Sequence, residues 1–154
     1  MDIRIATIND SKQIGLIIRS VAKASFLYTF SRSGQIEFLK HHTAYGIGKM
    51  IKQNTVFHIG LMNQQFIGVV GIRDMTHLSH LFITPAYQGN GFARSLWQVA
   101  KSSAMQSDHN GQFTVNASQK GIGVYKSFGF YPAGKISNRN GIISYPMRLT
   151  PDSI

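Results

Sequence analysis

The stretch HLSHLFITPAYQGNGFARSLW, residues 77–97, indicates which fold the chain forms. Residues 78–83 are almost continuously apolar, which predicts a central strand that is buried on both faces. Thr84 and Pro85 end this strand, and a turn with two glycines leads into a helix. The stretch therefore predicts a buried strand, a tight turn and a helix in immediate succession.

The residues before this stretch predict one short strand and two helices. Residues 3–7 alternate between apolar and polar, as in a strand, and residues 14–25 carry apolar side chains at helical spacing. An aromatic segment, residues 26–30, separates this first helix from a second one between about residues 36 and 51. Two glycines weaken the middle of the second helix, because glycine has a low helix propensity.

The remaining elements predict a single mixed α/β domain over residues 1–154. Five further segments have the period of a strand or a helix: strands at 55–61, 66–72 and 113–117, a short helix at 121–128 and a closing hairpin within 131–149. In the helix after the glycine turn, Phe92, Leu96, Val99 and Ala100 form one apolar stripe. The predicted order is β-α-α-β-β-β-α-β-α-β-β, which is typical of a mixed sheet flanked by helices.

The composition excludes several classes of protein. The 154 residues are 43% hydrophobic and 14% charged, a balance that favours a packed core over disorder. The chain has no cysteine, which excludes disulfides, thiolate zinc sites, iron–sulfur clusters and a cysteine nucleophile. Neither a signal peptide nor an apolar run long enough for a membrane span is recognisable. We therefore expect a cytoplasmic protein without a membrane partner.

The charge is strongly positive but dispersed. Sixteen Lys and Arg residues against six acids give a formal net charge of +10, which attracts anionic partners such as nucleic acid or a phosphorylated cofactor. No two of these basic residues are adjacent, whereas nucleic-acid-binding arms are runs of basic residues. The pattern therefore does not favour a nucleic-acid partner, and the scarcity of acids argues against a mechanism with two carboxylates.

The glycine turn is a candidate phosphate site. Gly89 and Gly91 lack side chains, so a ligand can approach the backbone closely, and the first N–H groups of the following helix have no partner within the helix. These donors, with the helix dipole, favour a phosphate or diphosphate. The sequence is neither a P-loop nor a dinucleotide fingerprint. Taken alone, it is equally compatible with an ordinary strand–helix turn.

A second segment makes the functional interpretation more specific. Asn116 stands near the end of a predicted strand, Tyr125 lies in the short helix, and Gly129 and Phe130 follow it. Together with the turn at residues 88–93, this segment resembles the GCN5-related N-acetyltransferase (GNAT) superfamily. Its acetyl-coenzyme A signature is Gln/Arg-x-x-Gly-x-Gly/Ala, followed by an Asn…Tyr…Gly-Phe segment. The order of elements from residue 3 to about residue 149 also resembles that family.

The resemblance implies acetyl-coenzyme A as co-substrate and assigns residues to its binding. The implied cofactor-binding residues are Phe82, Ile83, Gln88, Gly89, Asn90, Gly91, Phe92, Ala93, Arg94, Asn116 and Tyr125. The backbone of 88–93 would hold the diphosphate, with Arg94 as a further phosphate partner. The pantetheine arm would pair with the strand edge at Phe82 and Ile83, where a strand N–H also serves the oxyanion. Tyr125 is the implied acid for the leaving thiolate.

The catalytic base is the open part of this interpretation. Many members of the family have a glutamate on the central strand, but here the titratable residues on or beside that strand are His77 and His80. Histidine has a pKa near 6.5 and accepts a proton directly or through water. Residues three apart on a regular strand face opposite sides. We predict His80 as the base, against the alternative of a hydrogen-bonded core histidine, and we expect no metal site.

The acceptor pocket is expected beside the aromatic segment and the closing hairpin. The predicted substrate-binding residues are Phe26, Tyr28, Phe30 and His77. Because the chain has few acids, neutral or anionic amines, such as an amino acid or a peptide N-terminus, are favoured over polyamines and aminoglycosides. The alternatives are a non-catalytic acyl-coenzyme A sensor on the same fold and, less favoured, a basic nucleic-acid-associated protein. The terminal hairpin also allows a homodimer.

Overall fold

Eight strands and five helices are present within residues 1–139 and 141–151, the part of the chain that the computed structural model describes. The strands are β1 (Asp2–Ile5), β2 (Thr55–Met62), β3 (Gln65–Arg73), β4 (His77–Ile83), β5 (Phe113–Ala117), β6 (Tyr131–Pro132), β7 (Ser137–Arg139) and β8 (Ile142–Leu149). The helices are α1 (Ser11–Ser25), α2 (Arg32–His41), α3 (Ala44–Gln53), α4 (Phe92–Met105) and α5 (Ile122–Ser127). The strand order β1-β2-β3-β4-β5-β8-β6, with β7 paired to β8, is that of a mixed sheet.

The predicted α/β fold is confirmed, with two differences in detail. The second predicted helix is two helices, α2 and α3, because Thr43 begins a new one: its side-chain oxygen accepts a hydrogen bond from the Gly46 N–H at 3.1 Å. The closing hairpin contains a third strand, β7. Both differences lie where glycines and polar residues weaken the periodic pattern that the prediction used.

Helices cover both faces of the sheet and produce two apolar cores. Helix α4 packs on one face, where Leu96 and Trp97 are buried. Helices α1 and α3 pack on the other face, against Phe57, Ile59 and Val69. Val99 of α4 is 39% exposed, so the apolar stripe of that helix includes Trp97 in its place. None of the described helices is long and apolar enough to cross a membrane.

Strands β4 and β5 separate soon after they meet. They are parallel, and their pairing is confined to His77 with Thr114 and Leu78 with Val115. The later residues of β4 remain paired with β3 on the other side. The edge of β4 that faces β5 is therefore open in the centre of the sheet, as the sequence interpretation requires for an added strand.

A bulge at Ser79 changes which way the strand's side chains point. Gly71 pairs with His80 and Ile72 pairs with Leu78, so Ser79 is the extra residue in β4. The prediction that His77 and His80 face opposite sides was wrong, because one inserted residue reverses the alternation beyond it. Both histidines lie on the face that α1 and α3 cover.

Candidate active site

A cavity of about 590 Å³ lies where β4 and β5 separate. Its walls come from six segments: the end of α1, the aromatic segment with α2, the end of β4, the glycine turn with the start of α4, the segment from β5 to α5, and β8. The predicted site residues that line it are Phe26, Phe30, Phe82, Ile83, Gln88, Gly89, Gly91, Phe92, Ala93, Asn116 and Tyr125. The structure thus brings most of the predicted cofactor-binding residues and two of the predicted substrate-binding residues to one place.

The glycine turn at one end of the cavity is open to a ligand. Gly89 and Gly91 both have φ of +80°, a left-handed conformation that side chains disfavour. A Cβ atom at either position would meet no heavy atom within 4 Å, so the space above the turn is free. Gln88 lines the cavity and fixes the turn, since its Nε2 donates to the Ile83 carbonyl at 2.9 Å. The two glycines are therefore required by the backbone, and the room above it suits an anion.

Helix α4 begins at this turn without a side-chain cap. Its N-cap residue is Gly91, which has no side chain to accept a hydrogen bond from the first-turn N–H groups. Phe92 and Ala93, the first residues of the helix, line the cavity. These donors and the positive end of the helix dipole point to the same space as the open glycine turn.

Two residues predicted for phosphate binding lie outside the cavity wall. Arg94 donates to the Ser127 carbonyl at 3.1 Å and to its hydroxyl at 3.2 Å, and its guanidinium lies over the Phe128 ring. Asn90 donates to the Tyr87 and Gln88 carbonyls within the turn. In this structure Arg94 joins α4 to α5 and Asn90 holds the turn, so their contact with a phosphate stays a prediction.

The edge of β4 forms the middle of the cavity. Leu81, Phe82 and Ile83 all line it although consecutive strand residues point to opposite faces. The cavity therefore borders the strand along its edge, where the backbone is accessible. An extended ligand with amide groups can pair with the N–H and C=O groups of such an edge as a strand does.

Tyr125 lies across the cavity from this edge. Its ring packs against Phe128 and Phe130, at 6.2 and 5.9 Å between ring centroids, and burial raises its pKa to about 12. The phenol therefore keeps its proton at neutral pH. A thiol has a pKa near 8.5, so complete transfer to a thiolate would be uphill by about 5 kcal/mol. This pKa does not favour the predicted role of Tyr125 as the acid for a leaving thiolate.

His80 lies behind the cavity wall. It is 9% exposed and belongs to the buried residues between the sheet and the helices α1–α3. Its Nδ1 is 2.8 Å from the hydroxyl of Ser79, and its Nε2 is 3.0 Å from Nε2 of His42. Burial and the neighbouring His42 lower its pKa to about 3. Ser79 lines the cavity and His80 does not, so the geometry does not favour direct proton transfer from a ligand in the cavity to His80.

His77 and Tyr28 do not line the cavity either. His77 lies at the start of β4, where the sheet is still closed, and its Nδ1 is 2.7 Å from the Thr114 hydroxyl. Tyr28 is 67% exposed, and its ring lies 5.7 Å from Nζ of Lys120. Of the four residues predicted to bind substrate, His77 thus lies at the closed part of the sheet and Tyr28 on the outer surface.

The end of the cavity where the acceptor was predicted to bind, called here the acceptor end, is aromatic. Phe26, Phe30, Phe38 and Phe82 form a cluster with ring centroids 5.5–6.1 Å apart. Sequence reasoning missed Phe38, which comes from α2, because helical spacing alone also describes an ordinary core position. Ile142 and Ile143 of β8 complete this wall. This end of the cavity therefore offers apolar contact to a ligand.

Charged groups are scarce at the cavity. Among the described residues that line it, Lys120 is the only charged one, and its Nζ donates to the Ser25 carbonyl at 3.2 Å. No carboxylate of the described chain borders the cavity. The same residues contain no group of three His, Cys, Asp or Glu side chains that could hold a metal ion. The polar groups available to a substrate are thus hydroxyls, amides and one ammonium.

Comparison with known proteins places this geometry in a family. The family model described as "Acetyltransferase (GNAT) domain" matches residues 26–151. A GCN5-related N-acetyltransferase from Rhodopseudomonas palustris superposes with a TM-score of 0.82 at 14% identity, over 97% of this chain and 94% of that one. The comparison with curated proteins gave no significant match.

Two further solved structures share the fold. PaiA N-acetyltransferase from Thermoplasma acidophilum, in complex with coenzyme A, superposes with a TM-score of 0.78 at 15% identity. The superposition covers 97% of this chain and 99% of that one. An aminoglycoside 6'-acetyltransferase type Ii has a TM-score of 0.73 at 13% identity, with 97% of both chains covered. At these identities the similarity establishes a common fold.

Proposed function

The chain belongs to the GNAT acetyltransferase family, and from this premise we propose that it transfers the acetyl group of acetyl-coenzyme A directly to an amine. The observation that carries the proposal is the shared cavity: the uncapped glycine turn, the open edge of β4 and the Tyr125 ring all border it. These features correspond in order to the diphosphate, the pantetheine arm and the thioester of one extended cofactor. No single feature would support that assignment alone.

The reaction assigns one task to each end of the cavity. The amine attacks the thioester carbon, the oxyanion accepts hydrogen bonds from backbone donors at the β4 edge, and the carbon–sulfur bond breaks. The Tyr125 phenol donates a hydrogen bond to the sulfur as negative charge develops there. Coenzyme A leaves and takes its thiol proton from solvent. The nucleophile must be the neutral amine, so a proton has to leave its nitrogen during or after attack.

The acceptor that best fits the cavity is an amine on an apolar or aromatic group. Four phenylalanine rings supply the contact area, and Lys120 lies at the rim, bonded to Ser25. A polycation would bury positive charge beside an ammonium and without a carboxylate, which is unfavourable. An aromatic amine, an amino acid or a peptide N-terminus with a large apolar side chain meets these conditions.

A non-catalytic acyl-coenzyme A sensor is the second candidate. The feature that favours it is the position of His80 behind Ser79, with no carboxylate of the described chain at the cavity. Such a protein would bind the cofactor as proposed but would not turn it over. A cytoplasmic location, a homodimer and a single domain over residues 1–154 stay predictions.

Two measurements test the proposal. Thermal unfolding is followed with coenzyme A and with pantetheine, which lacks the phosphates; we expect a clear rise of Tm with coenzyme A and a much smaller one with pantetheine. Thiol release from acetyl-coenzyme A is then followed with 2-phenylethylamine, phenylalanine amide and spermidine. We expect acetylation of the first two in preference to spermidine. Binding without thiol release from any amine would favour the sensor, and no binding at millimolar coenzyme A would contradict both functions.

A further inference from the structure

A chain of hydrogen bonds runs from the cavity wall into a buried pair of histidines. Ser79 lines the cavity, and its hydroxyl is 2.8 Å from Nδ1 of His80. Nε2 of His80 is 3.0 Å from Nε2 of His42, and Nδ1 of His42 is 2.7 Å from the carbonyl oxygen of Phe38. The Ser79 hydroxyl also lies 3.2 Å from the Gly71 carbonyl oxygen. The chain of hydrogen bonds is continuous because Ser79, as the extra residue of the bulge, has its hydroxyl within reach of the His80 ring.

When Ser79, His80 and His42 are all neutral, the carbonyl oxygen of Phe38 determines where each proton lies. A carbonyl oxygen can only accept, so His42 carries its proton on Nδ1 and presents a lone pair at Nε2. His80 must then carry its proton on Nε2 and present a lone pair at Nδ1, since two lone pairs would otherwise face each other at 3.0 Å. Ser79 therefore donates to His80. In this neutral arrangement the contacts Ser79–His80, His80–His42 and His42–Phe38 each have a proton, whereas the contact between the Ser79 oxygen and the Gly71 carbonyl oxygen has none.

A second arrangement satisfies the same contacts with one proton more. If His42 carries protons on both nitrogens, His80 accepts at Nε2 and donates from Nδ1 to the Ser79 oxygen. The Ser79 hydroxyl then donates to the Gly71 carbonyl, so its proton still has an acceptor when His80 no longer accepts it. The first arrangement becomes the second when one proton enters at the Ser79 oxygen and the others shift along existing hydrogen bonds, which is what a proton relay requires.

On the basis of the proposed function, we infer that Ser79, His80 and His42 form a relay that removes the proton of the acceptor amine. As the amine nitrogen forms its bond to the thioester carbon and the carbon–sulfur bond breaks, one N–H proton passes to the Ser79 oxygen. The Ser79 proton passes to Nδ1 of His80, and the Nε2 proton of His80 passes to Nε2 of His42. His42 becomes an imidazolium, which later loses its proton to solvent. Ser79 is the group that touches substrate; the histidines act through it.

The surroundings of His42 suit a site that holds the proton briefly. Its ring stacks on Phe38 at 4.2 Å between centroids, and the Phe38 carbonyl bonds to Nδ1, both of which favour the imidazolium. Burial lowers the pKa of His42, and the positive charge of Arg19 lowers it further. The proton is therefore accepted from the reaction but not retained at neutral pH.

His80 passes protons without gaining charge. It receives one proton at Nδ1 as it loses one from Nε2, so its strongly lowered pKa does not hinder the transfer. The other groups that act on it electrostatically are Arg73 and His77, both of which oppose a positive charge. The positive charge thus moves past His80 and rests on His42.

The first test measures initial rates at saturating acetyl-coenzyme A while the concentration of 2-phenylethylamine is varied, so that kcat and the acceptor KM are obtained separately. Ser79→Ala removes the hydroxyl, and we expect kcat to fall by about 30-fold or more while the acceptor KM changes by less than about threefold. Ser79→Thr keeps the hydroxyl and should retain most of the turnover. His42→Gln keeps an oxygen that accepts from His80 but cannot take up a proton, and it should lose turnover as Ser79→Ala does. Exposed His41→Gln is the matched control.

The second test needs no substrate. Long-range proton–nitrogen spectra of protein labelled in histidine report which ring nitrogen is protonated. We expect His42 protonated at Nδ1 and His80 at Nε2, both neutral at pH 7. The opposite tautomer at either ring would overturn the relay.

The outcomes separate the relay from the proposed function. If wild type acetylates 2-phenylethylamine and His42→Gln retains kcat within about twofold, the relay is wrong and the transferase assignment stands. If wild type binds coenzyme A but acetylates no amine, the transfer is wrong and the relay with it. Loss of kcat in Ser79→Ala and His42→Gln, with turnover retained in Ser79→Thr and His41→Gln, supports both.

Discussion

The two ends of the cavity are built in different ways. At the cofactor end, one continuous stretch, residues 83–93, supplies the strand end, the turn and the first helical N–H groups, and its chemistry is that of the backbone. At the acceptor end, side chains from four separate segments meet: the aromatic segment, α2, β4 and β8. The first end is specified locally and the second by the tertiary fold. Variants at the two ends should therefore fail in different measurements.

The largest expected effect is at the glycine turn. Gly91→Val forces a β-branched residue into a left-handed conformation and places its side chain in the open space above the turn. We expect coenzyme A to bind at least about 100-fold more weakly, a loss of about 2.7 kcal/mol. Calorimetric titration measures this. Gly123→Ala is the control, since Gly123 lies in α5 with free space around it, and it should bind normally. Equal affinities for both variants would contradict the phosphate assignment.

The same contrast explains what the sequence could and could not predict. The turn at residues 88–93 was predictable because glycine conformation and unpaired helical N–H groups are local properties of a few adjacent residues. The open edge at Phe82 and Ile83 followed from the resemblance of the whole chain. Phe38 and Lys120 were missed because each reaches the cavity only when a distant segment packs beside it.

The bulge at Ser79 is the clearest example of a feature that the sequence did not predict. One inserted residue puts His77 and His80 on the same face and sets Ser79 between His80 and the cavity. Nothing in the letters LSHLFI distinguishes a bulged strand from a regular one, since register depends on the partner strand. The place of His80 within the buried strand was predictable, whereas the position of Ser79 between it and the cavity was not.

A second prediction uses acid to perturb the acceptor end, where the buried histidines lie. In the unfolded chain a histidine binds a proton near pH 6.5, whereas folded His80 binds one only near pH 3. Between these values the unfolded state holds one proton more, so the free energy of unfolding falls as the pH falls. From pH 7.5 to 5.0 this residue should cost about 2 kcal/mol, or about 30-fold in the unfolding equilibrium.

Urea denaturation at both pH values measures that loss. His80→Gln should show a decrease with acid that is smaller by about 2 kcal/mol, whatever its absolute stability. Phe30→Ala, at the same end but without a titratable group removed, should keep the full decrease. An identical pH dependence for wild type and His80→Gln would mean that His80 is not held neutral in the folded protein.

The third prediction concerns Tyr125, which lines the cavity and which the proposed function assigns to the thioester. Tyr125→Phe removes the hydroxyl but keeps the ring that packs on Phe128 and Phe130. We expect kcat to fall about 20-fold, with the Kd of acetyl-coenzyme A within about twofold, because the lost hydrogen bond forms mainly as charge develops on sulfur. Tyr131→Phe is the control and should be fully active. Unchanged turnover in Tyr125→Phe would remove the phenol from the mechanism.

The smallest expected effect is at the aromatic wall. Phe30→Ala removes one of four rings from the acceptor end, and we expect the KM for 2-phenylethylamine to rise about tenfold, equivalent to about 1.4 kcal/mol. The Kd of coenzyme A should change by less than about twofold, since the glycine turn is untouched. Phe66→Ala, whose ring lies near Arg4 and away from the cavity, is a matched truncation. If both truncations raise the KM equally, the effect is general destabilisation. If Phe30→Ala weakens the binding of coenzyme A as much as that of the amine, the two ends are not independent. The division of the site into a half built by the backbone and a half built by side chains then does not hold.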